Sequence, residues 1–133
     1  KESGFGRILV IGSSGMVVPI PKLAVSNTLR SAVGGYVKTL AEQVASFGVT
    51  CNMVLPGRVE TLRTQAIDQA TAKALGVSEE EARVRSIATI PAGRYGEPRE
   101  FGAVVTFLAS EQAGYITGSQ IRVDGGAIRS INA

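Results

Sequence analysis

Arg7-Ile8-Leu9-Val10-Ile11-Gly12-Ser13-Ser14-Gly15 is the stretch that decides the fold. An unbroken apolar run halts at a Gly-Ser turn. Lack of polar alternation predicts a strand buried on both faces, as in a parallel sheet. Pro19 and Pro21 then mark a loop. A helical pattern follows from about 23 to 47, where Leu29, Val33, Tyr36, Leu40, Val44 and Phe47 recur at steps of three and four and predict the buried face. Gly48 suits the helix end. A second apolar run, Val49 to Leu55, stops at Pro56-Gly57. Strand, helix and strand in that order predict a right-handed parallel crossover.

Further along, the Ala-rich segment from Leu62 to Leu75 reads as helix ended by Gly76. Ser78-Glu79-Glu80-Glu81 has capping-box spacing and opens another short helix. Its three acids suit a helix N-terminus better than a metal site. Ile90 to Gly96 is loop, and Pro98 fits the first turn of a helix whose buried stripe is Phe101, Val104, Val105 and Leu108. Gln120-Ile121-Arg122-Val123 is a third strand, and Asp124-Gly125-Gly126 turns after it. We expect an α/β fold, a partial Rossmann-like parallel sheet of three strands with flanking helices. The first strand would present an apolar edge that invites a neighbour.

Composition removes several classes of function. The chain has 133 residues, enough for one small domain. With 44% apolar residues it is a folding chain. It has no histidine, so Ser-His-Asp and Cys-His chemistry and the usual histidine zinc sites are out; no metal is expected. Cys51 is the only cysteine, which rules out an internal disulfide and fits a cytoplasmic setting. No apolar run reaches the roughly 20 residues of a membrane span, and no signal peptide is visible. The net charge of +3 is scattered, and aromatics make up only 5%. Neither suggests nucleic acid. The first residue is Lys, as expected of a piece of something longer.

The ordered set of motifs resembles the carboxyl-terminal half of the short-chain dehydrogenase/reductase family. Gly6-Arg7-Ile8 with Ser13-Ser14 looks like the family's strand carrying a catalytic serine. Pro56-Gly57-Arg58-Val59-Glu60-Thr61 is similar to its Pro-Gly-x-x-x-Thr turn. Ile90 to Glu100, Phe107-Leu108-Ala109-Ser110, Tyr115-Ile116-Thr117-Gly118 and Val123-Asp124-Gly125-Gly126 complete the pattern. Each is weak alone, yet together they cover nearly the whole chain. The nearest flavour is the 3-oxoacyl-acyl-carrier-protein-reductase-like group.

That resemblance implies a hydride-transfer oxidoreductase using NAD or NADP on a small carbonyl or secondary alcohol, in a homo-oligomer (dimer or tetramer). It implies that residues 1–133 are the second half of one Rossmann-like domain and that residues 62–89 are its helical substrate flap. The family's Gly-rich nucleotide fingerprint does not occur in these residues, so the amino-terminal nucleotide-binding half would lie outside them and the segment alone would be inactive. The family pairs a tyrosine, as proton donor or acceptor, with a lysine one helical turn later. Counting forward from Ser13, or back from Leu40-Ala41, those positions are Ser26 and Arg30. An alkyl hydroxyl is a far poorer acid than a phenol, and Arg30 keeps its proton. Ser13 has two readings, a substrate-orienting hydroxyl or a turn residue satisfying backbone groups. By the resemblance, Arg30 would hold the cofactor ribose, and Pro56, Gly57, Val59 and Thr61 would contact its nicotinamide; otherwise the Pro-Gly turn merely ends a strand. Loss of both acid-base residues keeps a second reading open, a non-catalytic binding or oligomerising module that retains the dehydrogenase frame.

Overall fold

The second apolar run becomes the central strand of the sheet. The computed structural model describes residues 4–131. In it β2 (Val49–Pro56) lies between β1 (Gly6–Ile11) and β3 (Gln120–Val123), parallel to both. Gly6 pairs with Val49 and Ile11 with Val54 on one side; Met53 to Pro56 pair with Gln120 to Val123 on the other. The α/β architecture and the three-stranded parallel sheet are those expected.

Residues 50–55 of β2 are all buried, which explains the absence of polar alternation. Their side chains still alternate between two cores. Cys51, Met53 and Leu55 pack on α1 (Ala24–Ala45) through Val37 and Ala41. Val54 packs on the opposite face against Leu108 of α4 (Pro98–Ala109) and Ala113. Met53, Leu55, Val54 and Leu108 are the largest fully buried apolar side chains, each stabilising the fold by roughly 1.5–3 kcal/mol. Asn52, also fully buried, donates to Ile116 O at 2.7 Å and accepts from Ser119 N at 3.0 Å, fixing the entry to β3. Burial pushes the Cys51 thiol pKa up, against any reactive role.

The buried face of α1 differs from the expected stripe. Leu29, Val33, Tyr36 and Phe47 are exposed, Leu40 is half-buried, and only Val44 of that set is buried. The buried face is Gly34, Val37, Ala41 and Val44, a stripe turned by about one residue, or roughly 100°. The cause is closeness. A Cβ on Gly34 would lie 2.7 Å from Met16 Cε and 3.8 Å from Met53 Sδ, so the helix meets the sheet on its small residues and leaves its large ones outside.

The remaining elements match expectation. α2 (Leu62–Leu75) is capped by Thr61, whose hydroxyl accepts from Thr64 N, and ends at left-handed Gly76. α3 (Glu79–Ile87) starts at Ser78, whose hydroxyl accepts from Glu81 N at 3.1 Å. Pro98 occupies the first turn of α4. The Asp124 turn is structural: its carboxylate accepts from Gly126 N at 2.9 Å and Ile128 N at 3.0 Å. No helix among the described residues is long and apolar enough to cross a membrane.

Candidate active site

In open parallel sheets, ligands bind beyond the carboxyl ends of the strands. Here β1 runs out into Gly12-Ser13, β2 into Pro56-Gly57 and β3 into Asp124. The ends lie close together. A Cβ on Gly57 would come within 2.6 Å of Asp124 Cα, so glycine is required for the two chains to pass. Ser13, Pro56, Gly57 and Asp124 all line one cleft of about 900 Å³.

Ser13 takes the turn role of its two readings. Its backbone is extended, and its hydroxyl oxygen accepts from Gly15 N at 3.1 Å, capping a 3-10 turn at Ser14–Met16. Acting as acceptor there leaves the hydroxyl proton available for donation. The loop above is fixed by Asn27, a residue that sequence reasoning passed over. Its amide donates to Ile20 O at 3.0 Å, and Ile20 N donates to its carbonyl at 3.4 Å. An asparagine just inside a helix after a Pro-rich loop was the available signal.

Ser26 and Arg30 sit one turn apart near the start of α1, as expected. Arg30 Nη1 donates to Gly12 O at 3.3 Å, which ties it to the residue preceding Ser13. Ser26 is half-buried, and its hydroxyl makes no hydrogen bond among the described residues. Both face an adjoining hollow, which meets the main cleft at Leu23. The cofactor-contact candidates also divide. Pro56 and Gly57 line the main cleft; Val59 lines a smaller hollow with Val123 and Gly125. Val59 O accepts from Thr64 Oγ1 at 2.6 Å, and the Thr61 hydroxyl is taken up in capping α2. The structure thus joins Ser13, Pro56 and Gly57 directly, and Arg30 through Gly12. Val59 and Thr61 shape the turn beside them.

The α2–α3 segment is anchored by a network that the sequence did not announce. Asp68 of α2 and Tyr95 are 6% and 2% exposed, and the Tyr95 hydroxyl donates to both Asp68 oxygens at 2.9 Å. Arg58, one residue past Gly57, brings Nη1 to 3.7 Å from Asp68 Oδ1. Arg83 of α3 stacks over the Tyr95 ring, 4.5 Å from its centroid, and forms a two-point ion pair with Glu60. Burial, with the adjacent Asp68, pushes the Tyr95 phenol above the ordinary tyrosine range. It is therefore a neutral hydrogen-bond donor at physiological pH. The same ion pair holds Glu60 below the usual carboxylate range.

A cleft at the strand ends of a parallel sheet, lined in part by α2, fits the architecture of the short-chain dehydrogenase/reductase family. The chain belongs to that family: a family model described as enoyl-(acyl carrier protein) reductase matches residues 1–127. It is 40% identical over 121 residues to the 3-oxoacyl-[acyl-carrier-protein] reductase FabG of Vibrio cholerae, covering 91% of this chain and 45% of that protein. It is 33% identical over 131 residues to the NADPH-dependent reductase BacG of Bacillus subtilis, covering 98% and 51%. Among solved structures, YwfH, an NADPH-dependent reductase involved in bacilysin biosynthesis, superposes with a TM-score of 0.91 at 32% identity, covering 98% of this chain and 50% of that one. An actinorhodin polyketide ketoreductase variant with NADPH superposes with a TM-score of 0.88 at 34% identity, covering 95% and 48%. The chain spans about half the length of the curated relatives it matches.

Proposed function

We propose that residues 1–133 are the carboxyl-terminal half of an NAD(P)-dependent oxidoreductase that reduces a carbonyl, of 3-oxoacyl-thioester-reductase type, in which Ser26 and Arg30 replace the usual tyrosine and lysine. The observation that carries this reading is the Arg30–Gly12 hydrogen bond. It fixes a permanent cation behind Ser13 at the strand ends, where a cofactor ribose and a substrate oxygen would meet. The donor set fits a nicotinamide cofactor. Arg30 uses one nitrogen on Gly12 O and has further N–H donors for ribose hydroxyls, while Pro56 and Gly57 form a close backbone floor. The bound nicotinamide supplies the hydride. Ser13 donates a hydrogen bond to the carbonyl oxygen and polarises it. Arg30 stabilises negative charge nearby but surrenders no proton. Ser26, or a water that it holds, passes the proton to the developing alkoxide and is replenished from solvent, a slower step than with a phenol because neither is a strong acid. Residues 62–89 close over the cleft as the flap.

The test is a hydride-transfer assay on the complete protein with NADH and NADPH. Its panel holds 3-oxoacyl thioesters, simple ketones and, because of the family model's description, 2-enoyl thioesters. We expect ketone reduction, raised about 100-fold by the Ser26→Tyr, Arg30→Lys double variant, since a positioned acid contributes roughly 10²–10⁴-fold. Cofactor binding without turnover of any panel member would overturn it.

One observation favours the second reading, an oligomerising module without catalysis. Val25, Leu29, Val33 and Tyr36 form an exposed apolar stripe on α1, between 42% and 73% exposed. A stable assembly that survives loss of Ser13 and Arg30, with no turnover, is the result that selects it; a monomer at high micromolar concentration in sedimentation sinks it.

A further inference from the structure

Ten arginines occur in the chain, and all fall within the described residues. Four have carboxylate partners on the surface: Arg83 with Glu60, Arg85 with Glu81, Arg94 with Glu100 and Arg99 with Glu97. Arg7, Arg30 and Arg122 donate to backbone carbonyls, and Arg58 faces Asp68. Only Arg63 and Arg129 make neither a hydrogen bond nor an ion pair among the described residues, and both line the 900 Å³ cleft. They come from different elements, Arg63 from the first turn of α2 and Arg129 from the segment after β3. Arg58 lines it too, with 37% of its side chain exposed. The one acidic side chain in the lining, Asp124, has both oxygens engaged by backbone amides.

Two guanidinium groups that line one hollow with no partner among the described residues repel each other, and an arriving oxyanion relieves that repulsion. Guanidinium is the side chain best matched to carboxylate and phosphate, which it meets with two parallel N–H donors. Clefts lined by charge of one sign also raise the local concentration of the opposite ion. Apart from Ser13, Ser14 and Thr89, the rest of the wall is largely apolar, with Ile20 and Ile67 among its members. We propose that the cleft recognises an anionic substrate, an oxyanion carried on an apolar body and gripped by Arg63 and Arg129. This rests on the reductase reading in taking the cleft to be the substrate site, and adds the substrate's charge to it. The oxyanion belongs either to a free oxo acid or to the phosphate of a carrier-linked thioester.

Three probes sharing an eight-carbon acyl body separate the outcomes by titration calorimetry on the complete protein: 2-oxooctanoate, octanoyl phosphopantetheine and the neutral octanoyl N-acetylcysteamine thioester. We expect one or both anions to bind more tightly than the neutral probe, with affinity falling as salt rises. The Arg63→Gln, Arg129→Gln double variant should lose about tenfold or more of that affinity and bind the neutral probe as before. Lys73→Gln, on the last turn of α2, removes a charge outside the lining and should change nothing. Preference for the carboxylate assigns the oxyanion to a free oxo acid, and preference for the phosphate to a carrier thioester. Equal affinity for charged and neutral probes, or an equal loss in Lys73→Gln, would overturn the proposal. Binding needs no turnover. Anion binding with no reduction of any carbonyl therefore refutes the reductase reading alone. Reduction of neutral ketones without anion preference refutes this inference alone.

Discussion

Replacing Tyr95 by phenylalanine tests the flap anchor with little other disturbance. The ring stays, so apolar burial and the Arg83 stacking partner are retained. What goes is a hydroxyl that donates to both oxygens of a carboxylate only 6% exposed. Asp68 is then left with Arg58 Nη1 at 3.7 Å, too far for a hydrogen bond. Hydrogen bonds to charged groups contribute about 1.5–3 kcal/mol, and a buried partner left unsatisfied costs at least that range's lower end. We therefore expect a loss of about 2 kcal/mol, or roughly 30-fold in the opening equilibrium. The bond links the flap to the loop before α4, so the loss should be local. Hydrogen exchange should quicken about 30-fold in Leu62–Leu75 and stay unchanged in Val49–Pro56. With Asp68→Asn in a double-mutant cycle, the coupling should be about 1 kcal/mol or more. A pH signature follows. Because burial raises the Tyr95 pKa in the folded state, its contribution is complete below the ordinary tyrosine value and fades as pH climbs through the raised one. Stability should fall above about pH 10, and the variant should lack that slope. A cost under about 0.5 kcal/mol, additive double mutants or unchanged exchange in α2 would refute the reasoning.

Two further outcomes follow from the same geometry. Gly57→Ala drives a Cβ to 2.6 Å from Asp124 Cα and 2.8 Å from its Cβ, so thermal melting should show a loss of about 1–3 kcal/mol from overpacking, and an unchanged melt refutes the close approach. Glu100 is held at a pKa of about 2, first by the two-point Arg94 contact at 2.6 and 2.8 Å and then by Glu97 N. Its contribution is present above the ordinary glutamate range and lost as pH falls toward 2, so an acid-melting slope that persists in Glu100→Gln would contradict it.

The sheet was readable in advance because β2 is buried on both faces and, apart from Thr50 and Asn52, is apolar from Val49 to Leu55. The helix starts at Ser78 and Pro98 were readable for an equally local reason, since capping needs particular side chains at fixed offsets. The face of α1 was not. Its large apolar residues point outward, and the packed face is chosen by where glycine and alanine let the helix approach, which depends on Met16 and Met53 from other elements. The candidate site was legible in part. Ser13 is marked by the run that ends at it, and Ser26 and Arg30 by their interval from it. The Asp68–Tyr95 bond joins residues 27 positions apart, and no local pattern announces it. Arg63 and Arg129 are ordinary surface arginines in the sequence. Their lack of partners exists only once every other arginine has found one.

The contact of α1 with the sheet through Gly34 and Ala41 has a further consequence. The helix that carries Ser26 and Arg30 at one end has its height above the strands set at the other, by the smallest side chains in the layer. Each added methyl group at residue 34 or 41 would act as a shim beneath a lever. It would tilt the Ser26–Arg30 turn relative to Ser13 without touching any of the three. Variation in such shims offers a route by which relatives sharing this frame retune the spacing of these three positions while keeping the residue at each of them.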